Sequence, residues 1–183
     1  MDEAQTWIRQ INAGSKAAAN DLVATYYREV YAFVYKQTLS QELSLDMTQE
    51  ILISMLRSIR HYDSEKGAFR TWLYKIATAR LVDYYRSKYY GYHRVVVPIE
   101  EHELVSTDDF TVTAEHREDV ERILAIINRL DAATQQIFRL RFFAEESFRE
   151  IAKALQMPEG TVKTKYYAMI RTIQKQFEEE RHG

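Results

Sequence analysis

A chain of 183 residues has no cysteine, only 5 Gly and 2 Pro, 46% apolar residues and a formal net charge of −2. Disulfides, thiolate zinc sites and cysteine nucleophiles are excluded, and a packed core is affordable. The first ten residues, MDEAQTWIRQ, lack the basic start and apolar stretch of a secretion signal, and no apolar run approaches membrane-spanning length, so the expected setting is the cytoplasm, with no membrane insertion.

In chain order, Gly14 precedes the first long helical pattern, whose stripe is Leu22, Tyr26, Val30, Phe33 and Val34. A second stripe is Leu52, Met55, Leu56 and Ile59, and a third is Phe69, Trp72, Leu73 and Ile76. The third helix is expected to start after Gly67 and to stop before Gly91. Ile123, Ile126, Ile127 and Leu130 follow, then Phe148, Ile151, Ala152 and Leu155, then Val162, Tyr166, Met169, Ile170 and Ile173. Spacings of three and four put each set on one helix face. Val95–Val97 is the only strand-like run, and it is too short to build a sheet. The predicted fold is all-α, with two small helical domains.

Between them the pattern breaks. Apolar periodicity is lost from about Gly91 to Thr113, where Pro98 also falls, and residues 97–121 hold nine acids against Arg117, a net charge of −8. This is an acidic linker, and as a coil of some 25 residues it would span ~25–30 Å. The expected boundaries are residues 1–92, a linker over 93–113 and a second domain over 114–183. The flanking segments are basic: residues 62–94 and 147–175 each carry a net charge of +4. A near-neutral chain thus contains two cationic segments separated by an anionic one.

The most informative stretch runs from Ser147 to Tyr166. Ser147 with Glu150 three residues later forms a capping box. A helix ending near Leu155, the short turn Gln156-Met157 and Pro158 at the next helix start make a helix-turn-helix, with small Ala152 at the crossing and Val162 as the anchor. In that motif the second helix enters the major groove. Its candidate DNA contacts are Glu159, Gly160, Thr161, Lys163, Thr164, Lys165 and Arg171. Glu159 can accept from a cytosine amine, the threonines can reach bases or phosphates, and the cations suit phosphate. Gly160 costs helix propensity, which points to close backbone approach by the partner helix or by DNA.

Leu130–Phe143, Phe148–Leu155 and Pro158–Lys165 together resemble region 4 of bacterial extracytoplasmic-function sigma factors of the sigma-70 family. Asp46–Asp63 resembles region 2.2, and Phe69–Arg86 resembles regions 2.3 and 2.4, in the family's order. The short linker in place of region 3, with no region 1.1 expected ahead, fits that class. The resemblance implies that region 2.2 binds the clamp helices of the polymerase β′ subunit. If Leu52, Met55, Leu56 and Ile59 face the core, then Asp46, Gln49, Glu50, Ile53 and Arg57 lie outward for that partner, although a lone exposed Ile is also ordinary surface. The resemblance further implies that region 4 binds the −35 element through the contacts from Glu159 to Arg171, and that the polymerase β flap is a further partner.

The resemblance also implies that regions 2.3 and 2.4 read and open the −10 element by flipping a base into the loop before the Trp72 helix. That strand needs stacking rings and cations, and Tyr62, Lys66, Phe69, Arg70, Lys75, Arg80, Tyr84, Arg86 and Lys88 supply them. Trp72 is expected in the core. The tyrosines at 84, 85, 89, 90 and 92 fit either packing under the linker or base stacking. Three departures bear on promoter preference: Ala79 stands where many members have Asn, Arg149 replaces an acid, and Tyr166, Tyr167 and Met169 stand where Arg is frequent. Core RNA polymerase, promoter DNA and an anti-sigma factor are the implied partners, with no cofactor, no metal and no small-molecule substrate. Catalysis is not expected. His61, His93, His102, His116 and His182 form no metal-like pair, and no nucleophile elbow or phosphate loop is present. The alternatives are a helix-turn-helix regulator, or a sigma-like interaction module, acting without polymerase.

Overall fold

The computed structural model describes residues 3–92 and 114–182. The expected linker, with Val95–Val97 and Pro98, lies outside the described residues. Eight α-helices account for nearly all of the rest: α1 (Glu3–Asn12), α2 (Lys16–Thr38), α3 (Gln41–Ser58), α4 (Phe69–Tyr92), α5 (Ala114–Ile127), α6 (Ala132–Phe142), α7 (Phe148–Leu155) and α8 (Glu159–His182). A short 3₁₀ turn, Ile59–His61, extends α3, and no strand occurs among the described residues.

Local chemistry sets where these helices begin. Side-chain oxygens of Ser15, Ser40, Asp131 and Ser147 accept from the backbone N–H groups of Ala18, Leu43, Thr134 and Glu150, each satisfying a donor that the first turn leaves orphaned. At Ser147 the box closes in both directions: Glu150 N donates to Ser147 Oγ at 3.2 Å, and Ser147 N donates to Glu150 Oε2 at 2.8 Å. Gly14, with φ +95°, makes the turn from α1 into α2 in the left-handed region that glycine enters without a Cβ clash. Helix α1 falls ahead of the first expected pattern, and it buries Ala4 and Ile8. Gly91 does not stop α4, which continues to Tyr92.

The expected stripes face inward. Leu22, Val30, Phe33 and Val34 of α2, Leu52, Met55 and Ile59 of α3 and its 3₁₀ turn, and Phe69 and Leu73 of α4 are buried in one cluster. That cluster does not end with the first four helices. Ile137, Leu140, Ala144, Ile151, Ala152 and Val162 belong to it as well, because α6 and α7 pack on α4. A smaller core of Ile127, Phe138 and Met169, with Ile123, Leu130, Ile170 and Ile173 against it, joins α5, α6 and α8. The two helical units thus share an apolar seam.

Candidate polymerase and nucleic-acid interfaces

Helix α3 presents the outer strip that its periodicity requires. Met47, Ile51, Leu52 and Met55 are buried on one side, whereas Asp46, Gln49, Glu50, Ile53 and Arg57 are all exposed on the other. Ile53 is 48% exposed, and Leu45 is exposed near the start of the same helix. An isoleucine among charges on a helix surface suits a partner that covers its side chain while leaving the rim wet.

The −10 candidates divide. In the loop before α4, Tyr62 is half-buried, its Oη donates to the carbonyl of Gly67 at 3.1 Å, and its ring lies 5.4 Å from both Phe69 and Trp72. Phe69 is 0% exposed, packed edge-on against Tyr26 and Tyr62. This corrects its assignment as a base-stacking residue: it belongs to the apolar stripe and presents no face to a strand. Trp72 is half-buried in the same ring cluster. Lys66, Arg80, Arg86 and Lys88 are exposed, and Lys75 and Tyr84 are half-buried. Arg80 donates to Ser54 Oγ at 2.8 Å, Lys66 pairs with Asp63 at 3.5 Å, and Lys88 lies over the Tyr84 ring. Tyr85 is claimed by packing: its Oη donates to the carbonyl of Gln37 at 2.8 Å, and burial pushes the phenol up to about 12 against the pull of Arg139. The side chains of Tyr89, Tyr90 and Tyr92 lie outside the described residues.

Arg70 stands apart from the other −10 candidates. Its Nε donates to Glu29 Oε1 at 2.6 Å and its Nη2 to Tyr74 Oη at 3.3 Å, both within the first unit. Its Nη1 reaches into the second unit, to the carbonyl of Ala144 at 3.1 Å and to Glu146 Oε1 at 3.3 Å. Glu146 is 4% exposed and also accepts from Thr71 Oγ1 at 3.0 Å. Burial holds its carboxyl above the usual range, in spite of the Thr71 hydrogen bond.

On α8, Val162 and Met169 are buried, and Glu159, Gly160, Thr161, Lys163, Thr164 and Arg171 are exposed on the opposite side. Lys165 is half-buried, 3.6 Å from Asp131. Glu159 and Lys163 pair at 2.7 Å, one turn apart, and this carboxylate raises the lysine's affinity for its proton. Thr164 Oγ1 donates to the carbonyl of Gly160 at 2.9 Å. A Cβ added at Gly160 would meet nothing within 4 Å, so close approach by the partner helix is not its reason. Tyr167, 52% exposed and 6.0 Å from Phe148, continues the outer strip one turn past Lys163.

Gln37, Thr71, Arg139 and Glu146 escaped the sequence reading, and they form the polar seam between the units. Arg139 is 0% exposed; its Nη1 donates to Gln37 Oε1 at 2.8 Å, its Nη2 donates to Asn128 Oδ1, and its guanidinium lies 5.1 Å over the Tyr85 ring. Arg139 and Arg141 interrupt the otherwise apolar run Ile137–Phe143, and of these two cations it is Arg139 that is buried.

Comparison with protein families matches residues 22–89 to Sigma-70 region 2 and residues 120–168 to Sigma-70, region 4. Among curated proteins, the chain is 27% identical over 182 residues to the ECF RNA polymerase sigma factor SigW of Bacillus subtilis (strain 168), covering 92% of this chain and 94% of SigW. It is 25% identical over 164 residues to SigX of the same organism, covering 86% and 82%. Among solved structures, CnrH in complex with the cytosolic domain of CnrY aligns over 97% of this chain and 98% of that one, with TM-score 0.62 and 15% identity. RpoE in complex with the anti-sigma factor NepR from Bartonella quintana aligns over 87% and 96%, with TM-score 0.57 and 14% identity.

Proposed function

We infer the function from one premise: the chain belongs to the sigma-70 family, in the extracytoplasmic-function class of RNA polymerase sigma factors. It binds core RNA polymerase and directs transcription initiation at particular promoters. The finer assignment follows the surfaces. The α3 strip of Asp46, Gln49, Glu50, Ile53 and Arg57 takes the polymerase clamp helices, and region 4 takes the β flap. The exposed cations of α4, with Tyr62 and Tyr84, handle the −10 strand. The outer face of α8 from Glu159 to Arg171 reads the −35 element. We assign residues 1–92 to region 2, 93–113 to the linker and 114–183 to region 4.

Binding energy alone does the work, with no covalent chemistry on the chain. The cytoplasm is the proposed setting, where polymerase and promoters are, and no helix among the described residues is long and apolar enough to cross a membrane. An anti-sigma factor that covers the α3 strip is the proposed regulator.

One observation supports this reading: a capped helix-turn-helix with Lys163 and Arg171 exposed on its second helix and an α3 strip with an exposed Ile53 stand on the same chain. A regulator that ignored polymerase would need only the first. The test is transcription of a fragmented genome by core polymerase with and without the chain. New start sites that share upstream elements are expected, and an unchanged transcript set would overturn the reading.

A further inference from the structure

We propose that Ser54 is a positioning residue for promoter opening: its hydroxyl holds the Arg80 guanidinium at the border of α3 and α4 and aims it at a phosphate of the −10 strand. The inference rests on the sigma-factor reading and adds a residue to it. Arg80 Nη2 donates to Ser54 Oγ at 2.8 Å, from the outer surface of α4 to the neighbouring flank of α3. Ser54 is half-buried and Arg80 is exposed, so the acceptor is fixed while the cation faces water.

What sets the pair apart is a cation held in place without being neutralised. Other −10 cations with a fixed partner are compensated or held locally: Lys66 pairs with Asp63 in its own loop, Arg70 pairs with Glu29 and Glu146, and Lys88 reaches Tyr84 one turn back on its own helix. Arg80 instead crosses to a second helix and takes a neutral oxygen, and it belongs to no ion pair among the described residues. A carboxylate in that place would cancel the charge that a phosphate needs, whereas a hydroxyl leaves it whole. A guanidinium has five N–H donors, and with one of them on Ser54 the rest of the planar fork is free for the bidentate grip that suits phosphate.

The place of the bond matters as well. Glu50 and Arg57, one turn to either side of Ser54 along α3, are exposed on the strip assigned to the polymerase. Along α4, Arg80, Tyr84 and Lys88 follow at spacings of four and share one face, a row of cation, ring and cation suited to a single strand. The Ser54–Arg80 bond is where the polymerase strip and this row meet. Fixing the arginine there removes its rotamer freedom before the strand arrives, so less ordering is left to oppose binding.

The test uses the full-length chain with core polymerase on a promoter that the chain activates, with opening followed by a fluorescent base analogue in the −10 element. Ser54→Ala, which suits a helix and removes only the hydroxyl, should reduce open-complex formation about three- to tenfold, the worth of one hydrogen bond, while affinity for core polymerase stays within about twofold of the parent. Ser54→Thr, which keeps the acceptor, should recover most of the loss. Arg80→Ala should lose more than Ser54→Ala, and adding Ser54→Ala to it should cost nothing further, because the hydroxyl acts through the guanidinium. Losses that simply add, a Ser54→Ala chain as fast as the parent, or a Ser54→Thr chain as slow as Ser54→Ala would each overturn the assignment. If the parent opens its promoter and the variants depart from this pattern, Ser54 alone falls, whereas a parent that opens no promoter overturns the sigma reading together with it.

Discussion

Phe69→Ala separates a core residue from a base-stacking one. The ring is 0% exposed and meets Tyr26 at 5.1 Å, Tyr62 at 5.4 Å and Trp72 at 5.7 Å, two of them edge-on. Truncating a buried phenylalanine costs about 3–5 kcal/mol, and the loss of three aromatic neighbours places Phe69 at the upper end of that range. For a chain of this length, 4 kcal/mol lowers Tm by roughly 8–16 °C. Urea denaturation followed by helical dichroism should show a lower midpoint with an unchanged slope. Phe69→Leu, which refills most of the space, should recover more than half of the loss and keep strand opening at the −10 element. A Phe69→Ala chain that lost less than about 1 kcal/mol of stability but no longer opened promoters would show that the ring stacks on a base.

Four further outcomes follow from the same geometry. Ser147→Ala removes the Oγ that accepts from Glu150 N, leaves the backbone N–H of residue 147 for Glu150, and should cost about 1 kcal/mol in urea denaturation. Ile53→Asp should weaken association with core polymerase at least tenfold, measured by fluorescence anisotropy, while stability stays within ~0.5 kcal/mol, since the side chain is half-exposed. Lys163→Ala should lower the slope of log K against log salt for −35 DNA by about one, and an unchanged slope would remove Lys163 from the phosphate contacts. Gly160→Ala has open space for its Cβ and should leave the free chain as stable or up to about 0.5 kcal/mol more stable. If DNA approaches that backbone, the same change weakens −35 binding, and equal binding by both chains would remove glycine's special role there.

The sequence made the helices legible wherever one face had to be apolar and one end had to be capped. The Leu22–Val34 and Leu52–Ile59 stripes, the Ser147 box and the Val162 anchor were all local patterns, and local patterns are what a chain displays. Phe69 was pulled two ways. Its stripe with Leu73 placed it inside, its position before Trp72 placed it on DNA, and burial sided with the stripe. Gly91 was read as a stop, but the helix continues to Tyr92, since a single glycine costs only about 1 kcal/mol in a helix. The seam was not legible. Arg139 and Gln37 lie 102 positions apart, and Thr71 and Glu146 lie 75 apart, so neither has a neighbour in sequence that announces the other. Tyr85 read equally well as packing or stacking until Gln37 and Arg139 were placed beside it.

The most direct measurement is a footprint of core polymerase on a promoter that this chain activates, recorded with and without the chain, using nuclease protection at −35 and permanganate reactivity of thymines near −10. Protection upstream together with reactive thymines downstream, both dependent on the chain and with the upstream part weakened by Lys163→Ala, is the predicted result. Protection at −35 that forms equally well without polymerase, with no thymine opened, would contradict a sigma factor and leave a helix-turn-helix repressor in its place.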